Sequence, residues 1–235
     1  MSFTCKNENC GAPDSKKGKI YPAAMECPFC DEPLFEIISF SDSEAVLIQQ
    51  LPYVIAFPLR KTLAEKHAWT KINLFKDTFL NYLKYLGLLT ASEFFHSELK
   101  DKKMVSLFQQ ALAEPSFGSW NQYIRETLAF LVEQQHAFFC PELLSYYQLV
   151  ETGKKRKLFK GEIQYIDGHG DVCLKIQEAT AIGMLINFRN RYLGHGLTLD
   201  EAESNRIWNE YFPIFRDLLE KMTFIESYPM LKNEH

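Results

Sequence analysis

The sequence predicts a mainly α-helical protein that carries a small β module at its N-terminus. Two patterns predict this division: four of the six cysteines lie within the first 30 residues, and from Ser43 onward apolar residues recur at the steps of amphipathic helices. In addition, 46% of the 235 residues are hydrophobic and 14% are aromatic, which is enough to fill a core and excludes a disordered chain. We therefore predict a small domain over residues 1–40 and an α-helical bundle over residues 41–235.

The cysteines of the first domain are spaced like the ligands of a metal site. Four residues separate Cys5 from Cys10, and two separate Cys27 from Cys30, with a turn-rich stretch between the pairs. Four thiolates on two turns form a closed tetrahedral site, so we expect structural zinc bound by these cysteines in a zinc ribbon. A short strand is expected over residues 34–38. Such a ribbon can also bind nucleic acid or a partner protein, and the spacing does not choose between these roles.

Helices are predicted over most of the second domain, and two apolar runs, Tyr53–Leu59 and Ala179–Ile186, are predicted to be core. The region from Gly153 to Lys160 is predicted to be a connector. The predicted helices are one through Leu74–Leu86 that ends near Gly87, one over 101–112, one that begins at a Ser119-x-x-Gln122 capping box, one over 141–151, one over about 174–193, and one from a Thr198-x-x-Glu201 capping box through Met222, which Pro213 kinks or splits.

Nothing in the sequence predicts contact with a membrane. No apolar run approaches the roughly 18–20 residues of a membrane span, and no apolar segment follows a basic start at the N-terminus. We therefore expect a cytoplasmic protein without a membrane partner. The tail over 228–232 resembles a domain exit, so we also consider a larger parent chain or a partner protein.

A basic segment follows the fourth predicted helix. Against a formal net charge of −4 for the whole chain, residues 153–160 contain five basic residues and no acid. A basic loop that also carries an aromatic side chain is typical of single-stranded nucleic-acid contacts, although many such loops are only solvated. The candidate nucleic-acid-binding residues are Lys154, Lys155, Arg156, Lys157, Phe159 and Lys160.

The most informative stretch is residues 188–196, Phe-Arg-Asn-Arg-Tyr-Leu-Gly-His-Gly. Arg189 falls in an apolar helical stripe with Ile182, Ile186 and Leu193, where a charge is costly unless it is paired or faces a partner surface. His195 follows Arg189 by six residues, and the glycines on either side of His195 allow the helix to end and the histidine to fold back beside its last turn.

This stretch resembles the motif of the HEPN superfamily, which consists of an arginine, a polar residue and a histidine four to six residues after the arginine. Here these residues are Arg189, Asn190 and His195. The resemblance implies an all-α fold and, in many members, a metal-independent endoribonuclease that acts as a homodimer with both motifs in one cleft. It also implies that His195 acts as acid or base, that Arg189 binds the scissile phosphate, and that Asn190 positions them.

Two functions remain open from the sequence. The first is an endoribonuclease of the HEPN type, with RNA as its partner, in a bacterial toxin or anti-phage defence setting. The alternative is a non-catalytic HEPN-like sensor or interaction module whose zinc ribbon binds nucleic acid or a partner protein. Motifs of nucleotide hydrolysis, dinucleotide binding and zinc proteolysis are absent from the sequence, which argues against those chemistries.

Overall fold

A computed structural model describes the backbone of residues 2–4, 35–37, 40–151, 158–166, 172–193, 199–222 and 224–225. Side chains are described from residue 40 onward within those ranges, except for 158–166 and 172–178. The chain divides into two compact units, Met1–Ala45 and Val46–His235. The described residues are mainly helical, which confirms the predicted fold class at that level.

The N-terminal unit contains one small antiparallel strand pair. Strand β1 (Ser2–Thr4) pairs with β2 (Phe35–Ile37), with Phe3 opposite Glu36. A strand is thus present within the range predicted for one, 34–38. The stretch between the two strands, which holds the rest of the predicted ribbon, lies outside the described residues.

Eight α-helices and a second strand pair are the main elements of the rest of the described chain. Strands β3 (Leu158–Ile166) and β4 (Val172–Thr180) lie between the sixth and seventh helices. No helix among the described residues is long and apolar enough to cross a bilayer. The helices are α1 (Asp42–Gln50), α2 (Tyr53–Ala64), α3 (Ala68–His96), α4 (Lys102–Ala113), α5 (Phe117–Glu133), α6 (Pro141–Val150), α7 (Ala181–Phe188) and α8 (Glu201–Glu220).

Helix α3 is central to the core of the second unit, because α2, α5 and α8 pack against it. Fully buried Phe75, Phe79 and Tyr82 lie around Phe215 of α8, with ring centroids 5.5, 5.6 and 5.6 Å from that of Phe215. The hydroxyl oxygens of Tyr82 and Tyr146 lie 2.6 Å apart, so these polar atoms are paired inside an otherwise apolar region. Aromatic packing between α3 and α8 therefore forms the centre of the core.

The predicted end of α3 at Gly87 is wrong, because the helix continues to His96. Gly87 is buried, and a Cβ atom at that position would lie 2.3 Å from Cε3 of Trp120 in α5. The glycine therefore does not end the helix; it leaves room for the indole ring of a neighbouring helix.

Two predicted capping boxes lie at the wrong residues. Ser116, and not Ser119, is the N-cap of α5: its hydroxyl accepts a hydrogen bond from the Ser119 backbone N–H, and the Ser119 hydroxyl accepts one from the Ser116 N–H, both at 3.0 Å. Asp200, and not Thr198, is the N-cap of α8, because its carboxylate accepts the Glu203 N–H at 2.8 Å. Helix α8 also passes through Pro213 without being split.

Two further predictions are wrong. The connector predicted up to Lys160 overlaps strand β3, and the helix predicted from about residue 174 begins within strand β4. The strands pair antiparallel in nine positions, from Leu158 opposite Thr180 to Ile166 opposite Val172. Both segments are rich in β-branched and apolar residues, whose spacing also satisfies a helical period. Pairing between the two segments decides in favour of strands, and the helix begins only at Ala181.

The base of this strand pair is joined to the helices by polar contacts. The Thr180 hydroxyl donates a hydrogen bond to the carboxylate of Glu151, the C-cap of α6, and accepts one from the Gly183 backbone N–H at 3.2 Å. Thr180 is thus the N-cap of α7 as well as the last residue of β4. This contact fixes the start of α7, and with it the helix that leads to Arg189.

Candidate active site

Arg189 and Asn190 begin a π-helical turn, Arg189–Leu193, that continues α7. Both side chains are exposed, and the Arg189 Nη1 donates a hydrogen bond to the Asn190 Oδ1 at 3.1 Å. A guanidinium has five N–H donors, so the pair can orient the arginine while other donors remain to bind an anion. Short π-helical turns are rare and are frequent at functional sites.

The exposure of Arg189 changes the interpretation of its apolar stripe. Ile182 is fully buried, whereas Ile186 and Leu193 are only partly buried against the core. The face that α7 buries lies to one side of this stripe and includes Leu185 and Phe188. Arg189 therefore bears no desolvation cost within the chain, and it lies between two apolar side chains at the protein surface.

Tyr192 holds the π-helical turn against α8. Its side chain is 6% exposed, and its hydroxyl accepts a hydrogen bond from the Arg206 Nη2 at 3.1 Å. The Tyr192 ring also lies 6.2 Å from the ring of Tyr211, and the Arg191 guanidinium lies 5.0 Å from its centroid. One buried aromatic side chain thus connects the exposed motif to the core.

Arg206 is itself held by two carboxylates of α8. It donates to Glu203 at 2.7 and 2.8 Å and to Glu210 at 2.9 Å. The hydrogen bonds from Arg206 lower the pKa of Glu203, which keeps this carboxyl group ionised. Neither Tyr192 nor Arg206 was among the predicted site residues, although the sequence shows Glu203, Arg206 and Glu210 at the i, i+3 and i, i+4 spacing of helical ion pairs.

The other predicted site residues lie beyond the described side chains. His195 falls in the stretch 194–198, and the four cysteines, Cys5, Cys10, Cys27 and Cys30, fall between β1 and β2, both outside the described residues. Among the described residues, no group of three or more His, Cys, Asp or Glu side chains could hold a metal ion. The zinc prediction therefore stays a prediction.

The basic segment is described only in part. Residues 154–157 lie outside the described chain, and Phe159 and Lys160 are known only as backbone positions of β3, opposite Ala179 and Glu178. Of the predicted site residues, the structure thus brings together Arg189 and Asn190.

In comparisons with family models, with curated proteins and with solved structures, none matched this chain.

Proposed function

We propose that the protein is a metal-independent endoribonuclease of the HEPN type, with Arg189, Asn190 and His195 as its catalytic residues. The observation that supports the proposal is the exposed Arg189–Asn190 pair on a turn anchored by buried Tyr192. An arginine held in this way can bind a phosphodiester through two donors and stabilise the charge that develops on it during cleavage.

In the proposed reaction, the 2′-hydroxyl of the RNA is the nucleophile. A histidine removes its proton, the 2′-oxygen bonds to phosphorus, and the bond from phosphorus to the 5′-oxygen breaks as that oxygen receives a proton. The products are a 2′,3′-cyclic phosphate and a free 5′-hydroxyl. The balance of atoms requires one base and one acid but no metal ion, and two copies of His195 would supply both.

We propose a homodimer for the same reason. Two-fold symmetry would bring two Arg189 and two His195 side chains to one cleft. Ile186 and Leu193, partly buried beside Arg189, are the apolar residues that such a contact would cover. Light scattering should therefore report twice the mass of the chain, and Ile186→Glu should reduce both the dimer fraction and RNA cleavage. A monomeric wild-type protein that cleaves RNA would contradict the dimer.

The test of the function is incubation of the purified chain with total RNA in excess EDTA. We expect cleavage by the wild-type protein and losses of at least about 100-fold in Arg189→Ala and in His195→Ala. Arg125→Ala, which removes another exposed arginine, on α5, is the matched control and should cleave normally. Cleavage that survives in both motif variants would refute the assignment. Intact RNA with a dimeric wild-type protein would favour the non-catalytic sensor or interaction module.

The zinc ribbon belongs to the proposal as a structural element. Four thiolates leave no open coordination position, so the zinc would stabilise the N-terminal unit and take no part in cleavage. Elemental analysis should find one zinc per chain, and the cleavage activity of the helical unit should not depend on it. A chain that contains no zinc after purification without chelators would contradict the ribbon.

A further inference from the structure

The surface of α2 carries apolar side chains that the core does not use. The run Tyr53–Leu59 was predicted to be core, but Tyr53, Val54 and Phe57 are 51%, 52% and 44% exposed. The rings of Tyr53 and Phe57 are stacked, with centroids 5.4 Å apart and planes 26° apart. Such a solvent-facing pair of aromatic rings beside other apolar side chains marks a binding surface more often than a single exposed residue does.

A groove lies beside this aromatic pair, between α2 and α3. Its volume is about 320 Å³, which suits a small planar group. Leu88, 52% exposed, lies at the α3 side of the groove, and polar groups from Asn81 and Lys84 line it as well. The groove is lined by Pro52, Tyr53, Val54, Asn81, Lys84, Tyr85 and Leu88.

The charge around the groove is positive, although the chain is acidic overall. Among the described residues, Lys84 is the one charged residue that lines the groove, whereas the whole chain has a formal net charge of −4. Beside the aromatic pair, Lys61 Nζ lies 4.5 Å from the ring centroid of Phe57. These two lysines complement a polyanion.

We propose that this α2–α3 groove binds single-stranded RNA, with an unpaired base against Tyr53, whose ring Phe57 supports by stacking, and phosphates on Lys61 and Lys84. Aromatic rings and basic side chains in one groove are the elements of sequence-tolerant single-strand binding, because every base has a π face and every nucleotide a phosphate. The proposal rests on the proposed function only in that RNA is the ligand. The groove would hold substrate, while cleavage depends on Arg189 and His195.

A second copy of the chain fits this surface less well. A two-fold contact through α2 and α3 would place two positively charged surfaces against each other, which disfavours association. A nucleic acid instead neutralises the same charges and releases counterions when it binds.

The test is fluorescence anisotropy with a fluorescein-labelled, 12-nucleotide 2′-O-methyl RNA. This probe lacks the nucleophilic 2′-hydroxyl, so its binding is measured without cleavage and does not depend on the proposed activity. We expect Kd to rise roughly 5- to 150-fold in Tyr53→Ala, because one stacking contact is lost, and to remain near wild type in Tyr53→Phe. Lys84→Ala should reduce the slope of log Kd against log salt by about 0.7.

Phe95→Ala is the matched control, since Phe95 is a 55% exposed aromatic residue on the same α3 helix but outside the groove. Its affinity should equal that of the wild type. No binding by the wild type, or an unchanged Kd in Tyr53→Ala, would overturn the proposal. So would a change from dimer to monomer in Tyr53→Ala with Kd unaltered, which would identify the surface as a contact between copies.

Discussion

Replacing Gly87 with alanine should destabilise the protein, although glycine inside a helix usually costs about 1 kcal/mol relative to alanine. The new Cβ atom would lie 2.3 Å from Cε3 and 2.5 Å from Cζ3 of Trp120. Carbon atoms in good contact lie about 3.5 Å apart or more, so one of the two groups must move by about 1 Å. Neither can move easily, because Gly87 lies on the central helix and Trp120 is only 2% exposed.

The magnitude follows from two opposing effects. Overpacking of a rigid core costs about 1–3 kcal/mol, and a contact this short belongs at the upper end of that range. The gain in helix propensity offsets about 1 kcal/mol of it, which leaves a net loss of about 2 kcal/mol in the free energy of unfolding. For a unit of this size we expect Tm to fall by about 4–8 °C in calorimetry.

Gly118→Ala is the matched control for this prediction. Gly118 is also helical, but it is exposed on α5, and a Cβ there would approach nothing closer than the Ser116 hydroxyl at 3.9 Å. Here the propensity gain acts alone, so Tm should stay the same or rise by about 1–3 °C. Equal increases in Tm for Gly87→Ala and Gly118→Ala would refute the proposed close packing between α3 and α5.

Three further predictions concern buried polar groups, each measured by urea unfolding of the whole chain. Tyr85→Phe should leave stability unchanged or raise it by about 1 kcal/mol, because the buried hydroxyl has no hydrogen-bond partner among the described residues; a large loss would contradict this. Glu93→Ala should lower the free energy of unfolding by about 2–4 kcal/mol, since the fully buried Glu93 side chain accepts the Cys140 backbone N–H at 2.8 Å. A decrease of less than about 1 kcal/mol would count against that contact. Tyr192→Phe should lower the free energy of unfolding by about 1 kcal/mol, because the hydrogen bond from Arg206 is lost. An unchanged free energy of unfolding would show that packing alone holds the π-helical turn.

The sequence predicted elements best where local signals were sufficient. The helices expected over 101–112 and 141–151 occur at Lys102–Ala113 and Pro141–Val150, each starting with a local signal, the Asp101 N-cap or a proline in the first turn. In the same way, the short strand predicted within 34–38 is present at Phe35–Ile37.

Predictions failed where a distant part of the chain decides the conformation. Gly87 signals a helix end locally, but the Trp120 ring that needs its space comes from another helix. Residues 172–180 satisfy the period of a helix, and only their pairing with 158–166 makes them a strand. The apolar run Tyr53–Leu59 was predicted to be core as a whole, yet α2 buries only one side, with Ile55 and Leu59 inward.

The contacts around the candidate site were not predicted from the sequence. Arg189 and Asn190 are adjacent in the motif, and the structure adds that their side chains are hydrogen-bonded and exposed. The hydrogen bond between Tyr192 and Arg206 joins two segments separated in sequence, so the motif alone could not reveal it. The apolar stripe predicted that Arg189 is paired or faces a partner surface; in the structure its side chain is exposed, and α7 buries the neighbouring face.

The most direct test of the proposed ribonuclease is the identity of the RNA ends formed in excess EDTA. A defined RNA should be incubated with the wild-type chain, with Arg189→Ala and with Arg125→Ala, and the products analysed by mass spectrometry. We predict 2′,3′-cyclic phosphate and 5′-hydroxyl ends from the wild type and from Arg125→Ala, and intact RNA from Arg189→Ala. Products with 3′-hydroxyl and 5′-phosphate ends, or equal cleavage by Arg189→Ala, would contradict it.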